Sequence, residues 1–573
     1  MRRVNRYYVQ LALLILMSFL TAGIVTWDNA GKSHAIMKSA ESDHFSGGTF
    51  ESEVWIGDNL WVRWWKNVTD NSYNIFLPGA VKGKKLNVTY SGAERIFVDG
   101  ERIQNGKSYL FSEGQHIVRT EGSECSEHDL NVWYTSDIPA LFVETESGSA
   151  DRIHASKEEE ESGRMMIMDS RGRNYFEGNI ERIRCRGNSS YEDTEKKSYT
   201  IKLCKKADLF GMGAAKKWIL TANAFDDTLV RNAAAFSIAH MLGLDYTPDV
   251  CFVDVYMNGN FIGNYLLSEK VEVGKNRVNI RNLEEEVEAL NKVSNPEDME
   301  FFMEQQGRLF STKGYRIAEE PEDISGGYLL ELETSDRYGL EASGFLTSRM
   351  QPVVFASPEY ASYAQVSYVA QLYQDFEDAV FSEDGYSPYT GKAYSEYIDM
   401  DSFARKYLVE ELVKNLDASF TSQYIYKYDD AVSTKFYAGP CWDYDKSIAA
   451  SGITEDGIDL HDPVGLYAAM QEKDSDIWYA LYQHEDFRKK TATIFFEELE
   501  PQLRQGAEEL IYGFSRRIDR SNDCNMIRWN TFPQTEELAE KQSLRDAKVE
   551  ELVDFINRRL DFLEMEWGYL RNE

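Results

Sequence analysis

Three aspartates in the last third of the chain are spaced as reacting groups would be. Asp417 closes the string Asn415-Leu416-Asp417, after a segment with apolar residues at Leu408, Val409, Leu412, Val413 and Leu416. That is helical spacing, so Asp417 ends a helix and begins a loop, where an acid can face a substrate hydroxyl. Asp443 and Asp445 follow in Gly439-Pro440-Cys441-Trp442-Asp443-Tyr444-Asp445. They flank Tyr444, and in an extended segment both would point the same way. Two carboxylates on one side need a cation or a shared proton. Magnesium is a natural cation, because it binds through one or two carboxylates plus phosphates. One acid for a hydroxyl and two for a metal are the equipment of phosphoryl transfer, in which positioning and charge neutralisation do most of the chemistry. The acid pair of a glycosidase is a rival on spacing alone, and so are three structural acids in salt bridges.

A second cluster is basic. Between residues 182 and 217 stand Arg182, Arg184, Arg186, Lys196, Lys197, Lys202, Lys205, Lys206, Lys216 and Lys217, against only Glu192, Asp193, Glu195 and Asp208. The whole chain has a net charge of -34, so a basic island suggests a phosphate-rich ligand. Ordinary lysines on a surface strand would read the same way. Lys202 alternates with Ile201 and Leu203 and so projects from a strand. Gly211-Met212-Gly213-Ala214-Ala215-Lys216 lacks phosphate-loop spacing and a Ser or Thr after the lysine, and reads as a turn before a strand. Thr228, or Asp227 before it, suits a helix cap. Arg231 and Asn232 would lie on the first turn, structural or reaching the site.

The elements that must carry these groups follow from the rest of the sequence. The chain has 573 residues, 43% hydrophobic and 13% aromatic, enough for several domains with a real core. With 96 acids against 62 bases, its surface repels nucleic acid. Six widely spaced cysteines with no CxxC pair, and eight scattered histidines, argue against a zinc site. Cys185 and Cys204 could face each other across a hairpin as a disulfide, or be free thiols. Arg2, Arg3 and Arg6 precede an apolar run over residues 9–25. This reads as a signal-anchor, or a cleaved signal peptide, over residues 1–30, with everything beyond it outside the cytoplasm. Residues 31–48 read as a tether. Over 49–136, short alternating runs such as Val54-Trp55-Ile56, Tyr73-Asn74-Ile75-Phe76-Leu77, Leu86-Asn87-Val88 and Ile96-Phe97-Val98 imply a small β-sandwich. Its tryptophans would either fill the core or form a sugar-binding face. Residues 137–573 read as a second domain, with strands over 182–204, a helix over 228–242 and a hairpin over 252–267. An acidic, irregular insertion with some helix is expected at about 284–325. A helical stripe of Leu552, Phe555, Ile556, Leu560, Leu563 and Trp567 is expected to pack on the core.

Taken together, residues 138–447 resemble the CotH protein-kinase family, the spore-coat kinase type, with the C-terminal helices continuing the domain. The resemblance is carried by Arg186-Gly187-Asn188-Ser189, Lys196-Lys197-x-Tyr199-x-Ile201-Lys202 and Trp218-Ile219-Leu220 with Asn223. It continues in Asp227-Thr228-x-x-Arg231-Asn232, Tyr256-Met257-Asn258-Gly259 with Gly263-Asn264-Tyr265 and Glu269, and Gly326-Gly327-Tyr328. Asn415-x-Asp417 and Gly439-Pro440-x-Trp442-Asp443-x-Asp445 complete it. The resemblance implies an α+β, divergent protein-kinase-like domain that binds ATP and Mg²⁺ and phosphorylates proteins, here preceded by a small all-β sandwich domain. Asp417 takes the catalytic-loop role and Asp443 the metal role, with Asp445 beside it. Arg186, Lys197 and Lys202 are expected near the phosphates, and Tyr265 and Tyr437 against the adenine. Two departures stand out: Tyr191 replaces the tryptophan of many relatives, and Ser422 and Gln423 stand where a kinase carries its second metal ligand, a role Asp445 could take. The expectation is an extracytoplasmic kinase, membrane-anchored or secreted, acting on serine or threonine of a cell-surface or coat protein, with a glycan contact through the β-domain. A catalytically inactive adhesion or scaffold protein is the alternative, followed by a carbohydrate-active enzyme.

Overall fold

The computed structural model describes residues 50–572, apart from 58, 68–69, 123–124, 292–298, 420, 453–456 and 471–474. The expected signal segment, residues 1–30, and the tether, 31–48, lie outside the described residues. Among those described, no helix is long and apolar enough to cross a membrane.

From Glu51 to Tyr134 every long element is a strand. Four strands form one sheet in the order Leu60–Arg63, Glu51–Ile56, Leu86–Ser91, Lys107–Tyr109. Six form another, in which Tyr73–Leu77 runs parallel to Ser126–Tyr134 and the other pairs are antiparallel. The alternation that marks these runs sends Val54, Val62, Ile75, Val88, Ile96, Val118 and Val132 into one shared core. Trp64 joins that core. Trp55 and Trp61 face the other way, as cross-strand partners with ring centroids 6.4 Å apart. Trp61 is taken up by the next unit: its indole N–H donates to Glu144 Oε1 at 3.0 Å, and its ring lies against Gly259. Gly259 has φ +79, and a Cβ there would fall 2.0 Å from the Trp61 ring, so only glycine lets the two units close.

Seven strands then close a barrel: Ala140–Thr145, Glu161–Met168, Asn174–Arg186, Ser198–Asp208, Ala214–Thr221, Asn260–Glu269 and Val250–Met257, the last pairing in parallel with the first. Ile167, Ile183, Ile201, Trp218, Leu220, Val253, Val255 and Tyr265 fill its interior. Register sets Cys185 opposite Tyr199, not Cys204. Cys185 is buried, Cys204 is exposed, and both are free, as are the other four cysteines, so the considered Cys185–Cys204 disulfide is not formed.

A seven-stranded sheet follows, ordered Glu300–Glu304, Ser311–Arg316, Gly344–Leu346, Pro352–Ser357, Tyr328–Leu332, Gln423–Lys427, Phe436–Ala438. Its first two strands, with the helix Leu283–Asn291, occupy the segment expected to be an irregular insertion. That reading missed strands because in Glu300–Glu304 only Phe302 is buried, so charge masks the alternation. The helices Tyr363–Val380 and Met400–Val413 and the C-terminal helices share one large core with this sheet. Ser362 opens the first of these with a reciprocal capping box, its Oγ accepting from Gln365 N–H. Asp399 caps the second by accepting Ser402 N–H, and Lys414 ends it in the left-handed region at φ 46. The expected apolar stripe lies on the helix Leu538–Trp567, buried in that core.

Candidate active site

Asp417 stands in the loop that begins at Lys414, and Asp443 and Asp445 stand in the loop after the strand Phe436–Ala438. Two backbone bonds tie the second loop to the first and to the helix before it: Leu416 N–H to Lys446 O at 3.1 Å, and Ile448 N–H to Val413 O at 2.7 Å. Asp443 sits at φ +64, so the chain turns here rather than running as the extended segment that would point Asp443 and Asp445 the same way. The turn is held from the helix Arg231–Met241. Asn232 Oδ1 accepts Tyr444 N–H at 2.7 Å, while Asn232 Nδ2 donates to Asn223 Oδ1 at 2.9 Å. Arg231 Nε donates to Ile448 O at 3.1 Å, and its Nη1 pairs with Asp226 at 2.6 Å. Asp226 also accepts the Arg231 backbone N–H at 2.8 Å, while the cap position itself is Val230, so neither Thr228 nor Asp227 caps this helix. Arg231 and Asn232 therefore support the loop of Asp443 and Asp445.

The three carboxylates perturb one another. Burial, then the charge of Asp443, pushes Asp417 up to about 7, with Glu410 and Glu333 adding and Lys446 opposing. Burial raises Asp443 against the opposing pull of Arg186 and Lys446. Asp445 is raised well above the carboxylate range by burial, then by Asp443 and Asp417. None of the three side chains accepts a hydrogen bond or forms an ion pair among the described residues. Desolvated carboxylates left this way are costly, and a cation relieves them. No group of three or more His, Cys, Asp or Glu among the described residues could hold a metal ion by itself. The hard oxygen donors of Asp443 and Asp445 nevertheless fit Mg²⁺, which takes one or two protein carboxylates and fills its shell with phosphate and water.

Arg186 and Lys446 act on the acids, Lys270 lies within the field of Arg186, and none of the three forms an ion pair among the described residues. Arg186 ends the barrel strand Asn174–Arg186, its guanidinium 4.9 Å from the Trp442 ring centre and within the field of Asp443 and Glu331. Lys270 follows the strand Asn260–Glu269 and is pushed down to about 8 by burial, then by Lys217, with Arg186 also contributing. Lys446 lies 4.1 Å from the Phe225 ring centre. On the facing sheet, Glu331 and Tyr424 are cross-strand partners. Glu331 is pushed up to about 8 by burial, then by Glu333, while Tyr424 and Arg186 oppose.

Of the expected phosphate contacts, only Arg186 joins this cluster. Lys197 is spent on the Tyr191 and Thr194 carbonyls, with its ammonium 4.8 Å from the Tyr191 ring centre. Lys202 pairs with Glu181 at 2.5 Å. Tyr265 is fully enclosed in the barrel and donates to Lys197 O at 2.9 Å, so it offers no face to an adenine. Tyr437 stacks on Tyr426 at 5.4 Å, in a tyrosine cluster that reaches Tyr424. Sequence reasoning missed Lys270, Lys446 and Glu331. The one available signal was an acid inside the apolar run Tyr328-Leu329-Leu330-Glu331-Leu332. A depression of 380 Å³ adjoins the site through Asn223 and Asp226, and one of 610 Å³ lies against Tyr175, Phe210 and Arg517; the three acids line neither.

No curated protein matches the chain. A family model described as CotH kinase protein matches residues 183–563, taking in Arg186, both acidic loops and most of the C-terminal helices. With most of its length inside that match, the chain belongs to the CotH kinase protein family.

Proposed function

We propose that the protein is an ATP- and Mg²⁺-dependent kinase that transfers the γ-phosphate to a serine or threonine hydroxyl of a protein substrate. The observation that carries this reading is the set of three desolvated carboxylates without side-chain donors, acted on by Arg186 and Lys446, which form no ion pair among the described residues. Asp417 orients the acceptor hydroxyl and takes its proton as the new O–P bond forms. The bond from the γ-phosphorus to the bridging oxygen breaks, and ADP leaves with the electron pair. Arg186 and Lys270 hold the phosphates, and Asp443 and Asp445 would hold the metal. Bound Mg²⁺ supplies charge neutralisation at the phosphate oxygens. The acceptor is read as a cell-surface or coat protein met outside the cytoplasm, by a chain that is anchored or secreted. A glycan contact through the N-terminal sheets would fall on Trp55, since Trp61 is occupied by Gly259.

The test is incubation of the purified protein with γ-labelled ATP and Mg²⁺. Labelling is expected, and it should fall to background in Asp443→Ala and after chelation of the metal. Label that survives both would sink the reading. No label, with no Mg²⁺-dependent ATP binding by calorimetry, would favour a binding module.

The cations give a second expectation. Arg186→Ala and Lys270→Ala should each raise the KM for ATP by about 10- to 100-fold, the worth of a hydrogen bond to a charged group. Lys202→Ala should change it by less than about twofold, because an exposed ion pair contributes little. Equal effects at Lys202 and Arg186 in steady-state kinetics would overturn this assignment.

A further inference from the structure

We infer that Glu410 is a positioning residue that sets the acid loop of Asp417 against the metal-side loop of Asp443 and Asp445. The inference rests on the kinase reading above, which gives those loops their roles. Glu410 lies on the helix Met400–Val413 and is fully buried. One of its oxygens, Oε1, accepts the Tyr444 hydroxyl at 2.6 Å. The other, Oε2, accepts Asn415 Nδ2 at 2.9 Å. Tyr444 stands between Asp443 and Asp445, and Asn415 stands in the loop of Asp417. One carboxylate therefore grips a side chain from each loop.

Lys406, one helical turn earlier, completes the arrangement. Its ammonium donates to Glu410 Oε1 at 2.5 Å and to the Tyr444 hydroxyl at 2.9 Å, and lies 3.7 Å from Cys441 Sγ. All five residues, Lys406, Glu410, Asn415, Cys441 and Tyr444, are fully buried. Burying an ion pair costs desolvation, and an apolar pair of the same volume would hold the helix as well or better. What an apolar pair lacks is direction. Hydrogen bonds from two loops to the two oxygens of one rigid group fix their separation, and in-line transfer is sensitive to such errors.

The test uses Glu410→Gln, Tyr444→Phe and Asn415→Ala in the full chain, with rates expressed per active molecule and Mg²⁺ titrated. Tyr444→Phe, which deletes one hydroxyl, is expected to raise the Mg²⁺ needed for half-maximal rate by about tenfold. Asn415→Ala is expected to lower kcat by about tenfold with little change in Mg²⁺ demand. Glu410→Gln should do both, in the range of about 10- to 100-fold on kcat expected for a misplaced reacting group. A lower Tm with kcat and Mg²⁺ demand unchanged per active molecule would show a structural role and overturn the inference. Should the wild type neither transfer phosphate nor bind Mg²⁺ and ADP, the kinase reading falls by itself. Hydrogen exchange then decides the positioning role. Glu410→Gln should speed exchange of the amides of both 415–419 and 441–447, and a change confined to one segment, or to neither, overturns it.

Discussion

Asp417→Asn is expected to cut phosphotransfer by about 10²- to 10⁴-fold, the usual worth of a general base, while Mg²⁺-dependent ATP binding stays at least as tight as in the wild type. The amide keeps the shape of the side chain but cannot take a proton. Binding should survive because Arg186, Lys270, Asp443 and Asp445 are untouched. It should even gain, because the Asp417 charge is among the causes that raise Asp445, and removing that charge leaves the metal-side carboxylate easier to ionise. Asp443→Ala differs in kind: it removes a proposed ligand, so rate and Mg²⁺-dependent binding should fall together. Initial rates with labelled ATP and calorimetry on the same preparations separate the two. A loss under about tenfold in Asp417→Asn would remove this residue from the base role.

The contrast between what was legible and what was not has a physical pattern. The acids were legible because loop carboxylates at the end of an apolar-periodic helix and after a Gly-Pro turn are unusual in type and place. The way Asp443 and Asp445 are presented was not legible. It depends on Asp443 in the left-handed region and on Asn232, whose side chain bonds Tyr444 N–H across 212 positions. The basic island was legible as charge, but charge carries no direction: Arg186 turns to the acids while Lys202 turns to Glu181. Lys270 had no signal, since one lysine after a strand is ordinary until the fold buries it beside Arg186. Strands such as Tyr73–Leu77 and Leu86–Ser91 were readable from period-two alternation. Closure of the barrel was not, because it needs Ala140–Thr145 to pair in parallel with Val250–Met257, a contact that no local pattern encodes.

Arg559→Met is expected to lower unfolding stability by about 3–5 kcal/mol, the cost of leaving one half of a buried ion pair behind. Arg559 is fully buried on the helix Leu538–Trp567 and pairs with Glu411, which is also fully buried. Its guanidinium donates to the carbonyls of Glu411 at 2.8 Å and Pro463 at 2.9 Å, and to that of Gly465. Glu411 in turn accepts the Tyr467 backbone N–H at 2.6 Å and the Tyr407 hydroxyl at 3.0 Å. Methionine fills much of the volume but supplies no donor, so a buried carboxylate and three carbonyls lose their partner at once. The neighbouring pair Arg558–Asp554 is exposed, and Arg558→Met should cost no more than about 1 kcal/mol. Urea unfolding of both variants measures the difference, and equal midpoints would refute the account. Glu411 adjoins Glu410, so the anchor for the C-terminal helix and the clamp on the two acidic loops lie on one turn of one helix. Arg559→Met should therefore lose phosphotransfer on warming over the same interval in which it unfolds, whereas Glu410→Gln should lose rate while still folded.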